Sequence, residues 1–277
     1  MLVLVSGWHY GLAFHKLGPH FWVCLWGLTV SVQMALSANC FLYLFVFFEA
    51  RLLPVGVIIL LWGRQPERVK AFEYIAVYSL CRGAPFFVGV EYISRVRPRW
   101  FYGVKERFRW SQWLIGGVLL GGLAKLPMFG LHVWLPKAHV EAPLEGSLVL
   151  AGILLKLGGV QIYRLRVELK AGFSRVFRGL VLLRVWGGVY TSLMCFRQPD
   201  VKAVIAYSSV GHMRVVLGRL MIRDFIRLGV CLRIIVGHGF VSCGMFRLAG
   251  IRAEAGGSRR LYVLKGIACI YPVLGAF

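Results

Sequence analysis

Apolar positions along the chain gather in long unbroken runs. Residues 21–48 contain no Asp, Glu, Lys or Arg, and a helix of that length exceeds the roughly 20 residues needed to cross a ~30 Å hydrocarbon layer. Further apolar stretches at 50–62, 71–94, 111–135, 143–163, 177–197, 200–221, 226–250 and 260–277 predict an all-α polytopic membrane protein with about eight or nine spanning helices. Barrel strands would alternate in period two, and FLYLFVFF at 41–48 does not. The polar segments between the runs are short, at 63–70, 95–109 and 164–178. No repeat of fixed period appears, so residues 1–277 are expected to form a single integral membrane domain.

Composition removes the soluble alternatives. With 58% hydrophobic residues, 16% charged residues and a mean hydropathy of +0.71, a soluble domain would lack charged groups to cover its outside, and a disordered chain needs low hydrophobicity. The charge balance is strongly basic, 33 Lys and Arg against 11 Asp and Glu, a net +22. Because the aromatic residues lie in the apolar runs and not along a basic stripe, the expected anionic partner is phospholipid and not nucleic acid. Arg184, Arg214, Arg219, Arg223, Arg233 and Arg247 fall in or near spans. They blur the loop count that sets orientation. Arg219, Arg223 and Arg227 share one helical face at four-residue spacing, which reads as a basic face near head groups or as a contact with a partner.

Seven cysteines occur without a CxxC pair, which excludes the common zinc and iron–sulfur spacings; each sits in apolar surroundings and is expected to be a reduced packing residue. The start of the chain has no basic region ahead of its apolar residues and no small-residue cleavage site. It reads as neither a signal nor a transit peptide, so synthesis is expected in the compartment where the chain works.

Ionisable groups inside spans carry the candidate chemistry, since each is expensive there unless it has a partner. Glu49 closes the first long run and is followed by Arg51 and Pro54; the plain alternative is that Glu49 and Arg51 mark a helix end. Lys125 follows WLIGGVLLGGLA and precedes Leu126 and Pro127. Proline there predicts a broken helix, and broken helices at membrane depth line cavities and ion sites; the alternative is a lysine snorkelling from a helix end. Lys156 is an isolated cation in GSLVLAGILLKLGG. His212 and His238 are candidates for proton transfer, because imidazole titrates near neutral pH; the plain alternative for each is a satisfied core residue. Gly117 and Gly121 predict close helix packing.

Enzyme signatures are missing from the sequence. His139-Val140-Glu141 has the start of a zinc deaminase motif without the PCxxC that completes it, and His132 and His139 lack further ligands at metal spacing. No Walker A loop, G-x-S-x-G elbow or Rossmann fingerprint occurs. Neither a cofactor nor a metal is expected in this chain.

Residues 125–159, KLPMFGLHVWLPKAHVEAPLEGSLVLAGILLKLGG, resemble the central signature of the subunit 4 family of NADH dehydrogenase, the antiporter-like proton-pumping chains of respiratory complex I. FFEARLLP around Glu49, WGRQPERVKA at 62–71 and DVKAVIAYSSVGHM at 200–213 are similar to the same family, and together the matches cover most of residues 39–250. The resemblance implies an antiporter-like bundle with a discontinuous helix near Lys125–Pro127. It implies a glutamate (Glu49) paired with a pumping lysine (Lys125), a relay lysine (Lys156) and two histidines (His212, His238) that continue a polar row at the midplane. Opening or closing the Glu49–Lys125 pair would change the proton affinity of the lysine, so that a remote event could drive proton uptake and release.

Proton translocation in such a family is coupled to electron transfer from NADH to ubiquinone in other subunits, which hold NADH, FMN, iron–sulfur clusters and ubiquinone. The implied partners are the other complex I subunits, neighbouring antiporter-like chains above all, with cardiolipin or similar structural phospholipid, in the mitochondrial inner membrane. Departures from the family are expected to matter: its members are longer, with first helices and a second discontinuous exit helix that this sequence does not show. Arg82 stands where a small residue is usual, and Gly211 where serine is usual. A cation/proton antiporter without NADH chemistry and a structural remnant that does not pump are the alternatives.

Overall fold

The computed structural model describes residues 14–63, 66–96, 112–168, 174–220 and 225–265. Helices account for nearly all of them, and among the described residues there is no strand, only isolated bridge residues, among them Asp200 paired with Arg260. The helices are α1 (Phe14–Ser37), α2 (Phe41–Ala50), α3 (Leu52–Trp62), α4 (Arg68–Val96), α5 (Gln112–Lys125), α6 (Trp134–Glu141), α7 (Leu144–Val149), a π-helical turn (Leu150–Leu154), α8 (Leu155–Glu168), α9 (Ser174–Phe196), α10 (Val201–Leu220) and α11 (Phe225–Ala255). Among the described residues, four segments are long and apolar enough to cross a membrane: Gly18–Ser37, Phe41–Trp62, Leu144–Leu165 and Gly229–Ala255. Apolar side chains also cover the outside, with Trp26 at 70%, Trp186 at 74% and Phe196 at 88% exposure, as a lipid-facing surface requires.

The expected span at 21–48 is divided. Helix α1 stops at Ser37 and α2 starts at Phe41, because Arg164 of α8 reaches the open end of α1. Its guanidinium donates to Ala38 O at 2.9 Å and also to Leu36 O, and a cation on the last carbonyls of a helix satisfies acceptors that have no partner within it. Arg51, in turn, does not end a helix. Its φ of −64° and ψ of −19° are right-handed, so α2 and α3 run on as one span over 41–62, which puts Glu49 inside it.

The break after Lys125 is present. Helix α5 ends there, residues 126–133 turn with Gly130 at φ 85°, and α6 begins at Trp134. Leu126 N–H still bonds Gly122 O at 2.9 Å, and Leu131 N–H bonds Met128 O at 2.9 Å, so the loop meets part of its backbone demand internally. This discontinuous helix lies in the centre of the bundle. Its first half packs on α4 and α8, and its second half on α4 and α10. The Gly117–Gly121 face meets α4 as expected, since a Cβ at Gly121 would stand 2.6 Å from Phe86 Cβ.

Of the remaining expectations, the last span, 260–277, lies mostly outside the described residues; Leu261 to Lys265 form turns. Arg223 and Cys269 are also outside them. The other six cysteines are free thiols.

Candidate functional site

Two groups of polar side chains form inside the bundle. The first gathers at the helix break, where the Lys125 ammonium forms an ion pair with Glu49 Oε1. Their side chains are 6% and 14% exposed, which excludes the snorkelling alternative for Lys125. Ser79 of α4 donates to the other carboxylate oxygen at 3.2 Å. The Lys125 Nζ also stands 3.4 Å from the centroid of the Phe48 ring, whose π face attracts a cation. Arg51 shares that ring, with its guanidinium carbon 3.6 Å from the centroid. It donates from Nε to Phe48 O at 2.8 Å and from Nη1 to Leu154 O at 3.3 Å.

Local sequence explains why these groups can meet. Proline at 127 stops the helix just after the lysine, and small residues let neighbours approach. A Cβ at Gly83 would lie 3.1 Å from Glu49 Oε1, and one at Gly158 would lie 2.9 Å from Leu126 N and 3.0 Å from Lys125 C. Helix α8 therefore presses directly on the backbone of the break. Beside the pair is a cavity of about 40 Å³ bordered by Arg51, Tyr78, Ser79, Lys125, Trp134 and Leu154, room for a few waters.

The second group begins at Lys156, which is 9% exposed. Its ammonium donates to Ala151 O inside the π turn and lies against Gly239 of α11, where a Cβ would come within 3.4 Å of Lys156 Cε. The next residue back, His238, is 8% exposed and within electrostatic reach of Lys156. The His238 and His212 rings are 5.3 Å apart at 32°. His212 itself faces outward from the described chain, so the row leaves the core at that point.

All five candidates are thus brought into the same bundle, Glu49 with Lys125, and Lys156 with His238 and His212. Sequence reasoning does not single out Ser79, one serine among many in apolar runs. It also misses the π turn, whose carbonyls hold both Arg51 and Lys156. A turn with i→i+5 bonding leaves acceptors displaced from the regular ladder, and no residue type announces it. His139 enters the sequence reasoning only as a metal ligand; the structure buries it completely.

Comparison with known proteins agrees with this architecture. Residues 38–277 match the family described as NADH:quinone oxidoreductase/Mrp antiporter, TM. The chain belongs to this family. Among relatives, NADH-ubiquinone oxidoreductase chain 4 of Ceratitis capitata is 41% identical over 240 residues, 85% of this chain and 53% of that protein. The chain 4 proteins of Locusta migratoria and Squalus acanthias are 38% and 36% identical, over 98% and 90% of this chain and 61% and 57% of theirs. The chain therefore spans a little over half the length of the curated relatives it matches.

Two solved structures share the antiporter-like fold of the family. The archaeal membrane-bound sulfane sulfur reductase complex contains a chain that superposes with a TM-score of 0.78 at 20% identity, covering 86% of this chain and 50% of that one. A chain of the Mrp complex from Dietzia superposes with a TM-score of 0.73 at 21% identity, covering 84% and 45%.

Proposed function

We propose that this chain is part of an antiporter-like, proton-translocating subunit in the membrane arm of an NADH:ubiquinone oxidoreductase, set in the mitochondrial inner membrane as a multi-pass protein. The observation that carries the reading is the buried Glu49–Lys125 ion pair at the break of a discontinuous helix. A buried pair of this kind has two arrangements, closed and open, with different proton affinities at the lysine. An event that favours one arrangement can then load or unload a proton, which is a coupling free energy between distant sites. Lys156, His238 and His212 receive and pass the proton onward.

Electron transfer belongs to other subunits, which hold NADH, FMN, iron–sulfur clusters and ubiquinone; this chain contributes no redox centre, and its part in the enzyme is translocation. Neighbouring antiporter-like subunits cover its sides. Anionic phospholipid, cardiolipin included, meets the basic segments near 95–109 and 164–178.

The test is Lys125→Met in the intact complex, reconstituted in vesicles with NADH and ubiquinone. The expected result is an assembled complex that oxidises NADH but loses the protons this chain contributes per NADH. Unchanged proton yield from an assembled Lys125→Met complex would leave a structural role in the membrane arm. Proton movement in vesicles lacking NADH-oxidising partners would favour a free-standing cation/proton antiporter.

A further inference from the structure

His139 is the one histidine of the described residues that is fully buried, with 0% exposure. It lies in the last turn of α6, and its ring stacks on Phe246 of α11 at 4.6 Å between centroids and 15° between planes. Neither Nδ1 nor Nε2 meets a protein donor or acceptor among the described residues. An imidazole needs one donor and one acceptor contact when neutral, and leaving a buried polar atom unmet costs on the order of 1–3 kcal/mol. A ring kept in this position for packing alone would be better served by phenylalanine.

What surrounds the ring gives it a direction. Lys156 of α8 and Lys202 of α10 both lie within electrostatic reach of the imidazole. Phe246, on which the ring stacks, packs against Ala151, the residue whose carbonyl holds Lys156. Lys202 is 8% exposed and donates to Ala142 O at 2.9 Å, in the turn that follows α6. Glu141, two residues beyond His139, is 7% exposed and stands in electrostatic reach of Arg259, Glu67, Lys202 and Asp200. Arg259 Nη1 donates to Val140 O at 2.7 Å, which ties the chain after α11 to the same turn. Glu67 is exposed, so this charged cluster reaches the surface at the α6–α7 end of the bundle. His139 is thus within electrostatic reach both of Lys202 in that cluster and of the interior Lys156.

We infer that His139 is a proton-transfer residue that joins the charged cluster at Glu141, Lys202 and Asp200 to Lys156. The inference rests on the translocation reading above. A proton arriving from the cluster bonds to the unprotonated ring nitrogen. The opposite N–H then gives its proton toward the neutral amine of Lys156, and the ring is left neutral as its other tautomer. One proton enters and one leaves, and no electrons move. Imidazole suits this exchange because both of its nitrogens can take part and neither is engaged by the described residues.

The experiment uses the intact complex in vesicles, with proton yield per NADH as the readout and Lys125→Met as the reference. His139→Gln keeps hydrogen-bonding capacity without titration, and His139→Ala leaves a hole of imidazole shape. Both are expected to assemble and to lose the same share of protons as Lys125→Met. External imidazole is expected to restore that share in His139→Ala, which a purely structural role would not allow. Full proton yield in His139→Gln, or no recovery with imidazole in an assembled His139→Ala complex, overturns the inference while a loss in Lys125→Met keeps the translocation reading. If His139→Ala fails to assemble, His139→Gln decides. If Lys125→Met pumps normally, the translocation reading falls and takes this inference with it.

Discussion

The polar group at the helix break and the polar group around Lys156 solve the problem of a buried cation in opposite ways. At the break, Lys125 has a full counter-charge in Glu49, a serine hydroxyl on the second carboxylate oxygen and an aromatic face beside it. The Lys156 ammonium rests instead on a backbone carbonyl, Ala151 O, with His238 nearby. An ion pair stores a change, since separating it costs energy that rejoining returns. A cation among carbonyls and imidazoles stores little and passes protons readily. In the translocation proposed for this chain, the pair would be the element that is switched and the second group the conduit.

Glu49→Gln strikes hardest at that contrast. It leaves a buried ammonium without its counter-charge, and breaking a buried pair from one side costs about 3–5 kcal/mol. The expected outcome is loss of proton yield together with a lower melting temperature of the membrane arm. Adding Lys125→Met should recover the melting temperature and leave the proton yield lost, which a thermal-melt assay run beside the vesicle assay would check.

Gly158→Val tests the joint between the two groups, because α8 carries Lys156 and touches the backbone at Lys125. The added side chain meets Leu126 N at 2.9 Å, a backbone atom that cannot rotate away. Overpacking of this sort costs about 1–3 kcal/mol. Less assembled complex after mild heating is expected, with the proton yield of the survivors reduced; an unchanged melt would mean that the break is looser than the contact implies.

Lys156→Gln should have the smallest effect on stability, about 1 kcal/mol or less, because an amide can still donate to Ala151 O. Its proton yield should fall all the same. A variant that melts like the parent and pumps like the parent would remove Lys156 from the conduit and make His238 depend on another donor.

Much of the switchable pair is legible in the residues, since a lone Glu and a lone Lys in apolar runs, one of them next to a proline, are too costly in lipid to stand without each other. The bundle's discontinuous helix follows from the same Lys125–Pro127 signal. Span boundaries are less legible. Nothing in residues 21–48 marks a stop at Ser37, because the group that ends α1 is Arg164, more than a hundred residues away in the chain. Nor does Glu49-Ala50-Arg51 reveal that the helix continues, as that depends on Arg51 finding Leu154 O across the bundle. His212 follows the motif that placed it in the polar row, yet its exposure is set by which helices pack beside α10. Through-space neighbours, not periodicity, decide such features.

The π turn at Leu150–Leu154 has a geometric consequence of its own. An i→i+5 turn holds one residue more than its α counterpart, and one residue corresponds to about 100° of rotation around a helix. The short helix before the turn and the long one after it are thereby indexed against each other like two gears with one extra tooth between them. Leu148 and Ala151 face Phe246 and Ala249 on α11, while the following turn brings Lys156 round to Gly239 on the same partner. The surplus residue sets the dial position at which the lysine points.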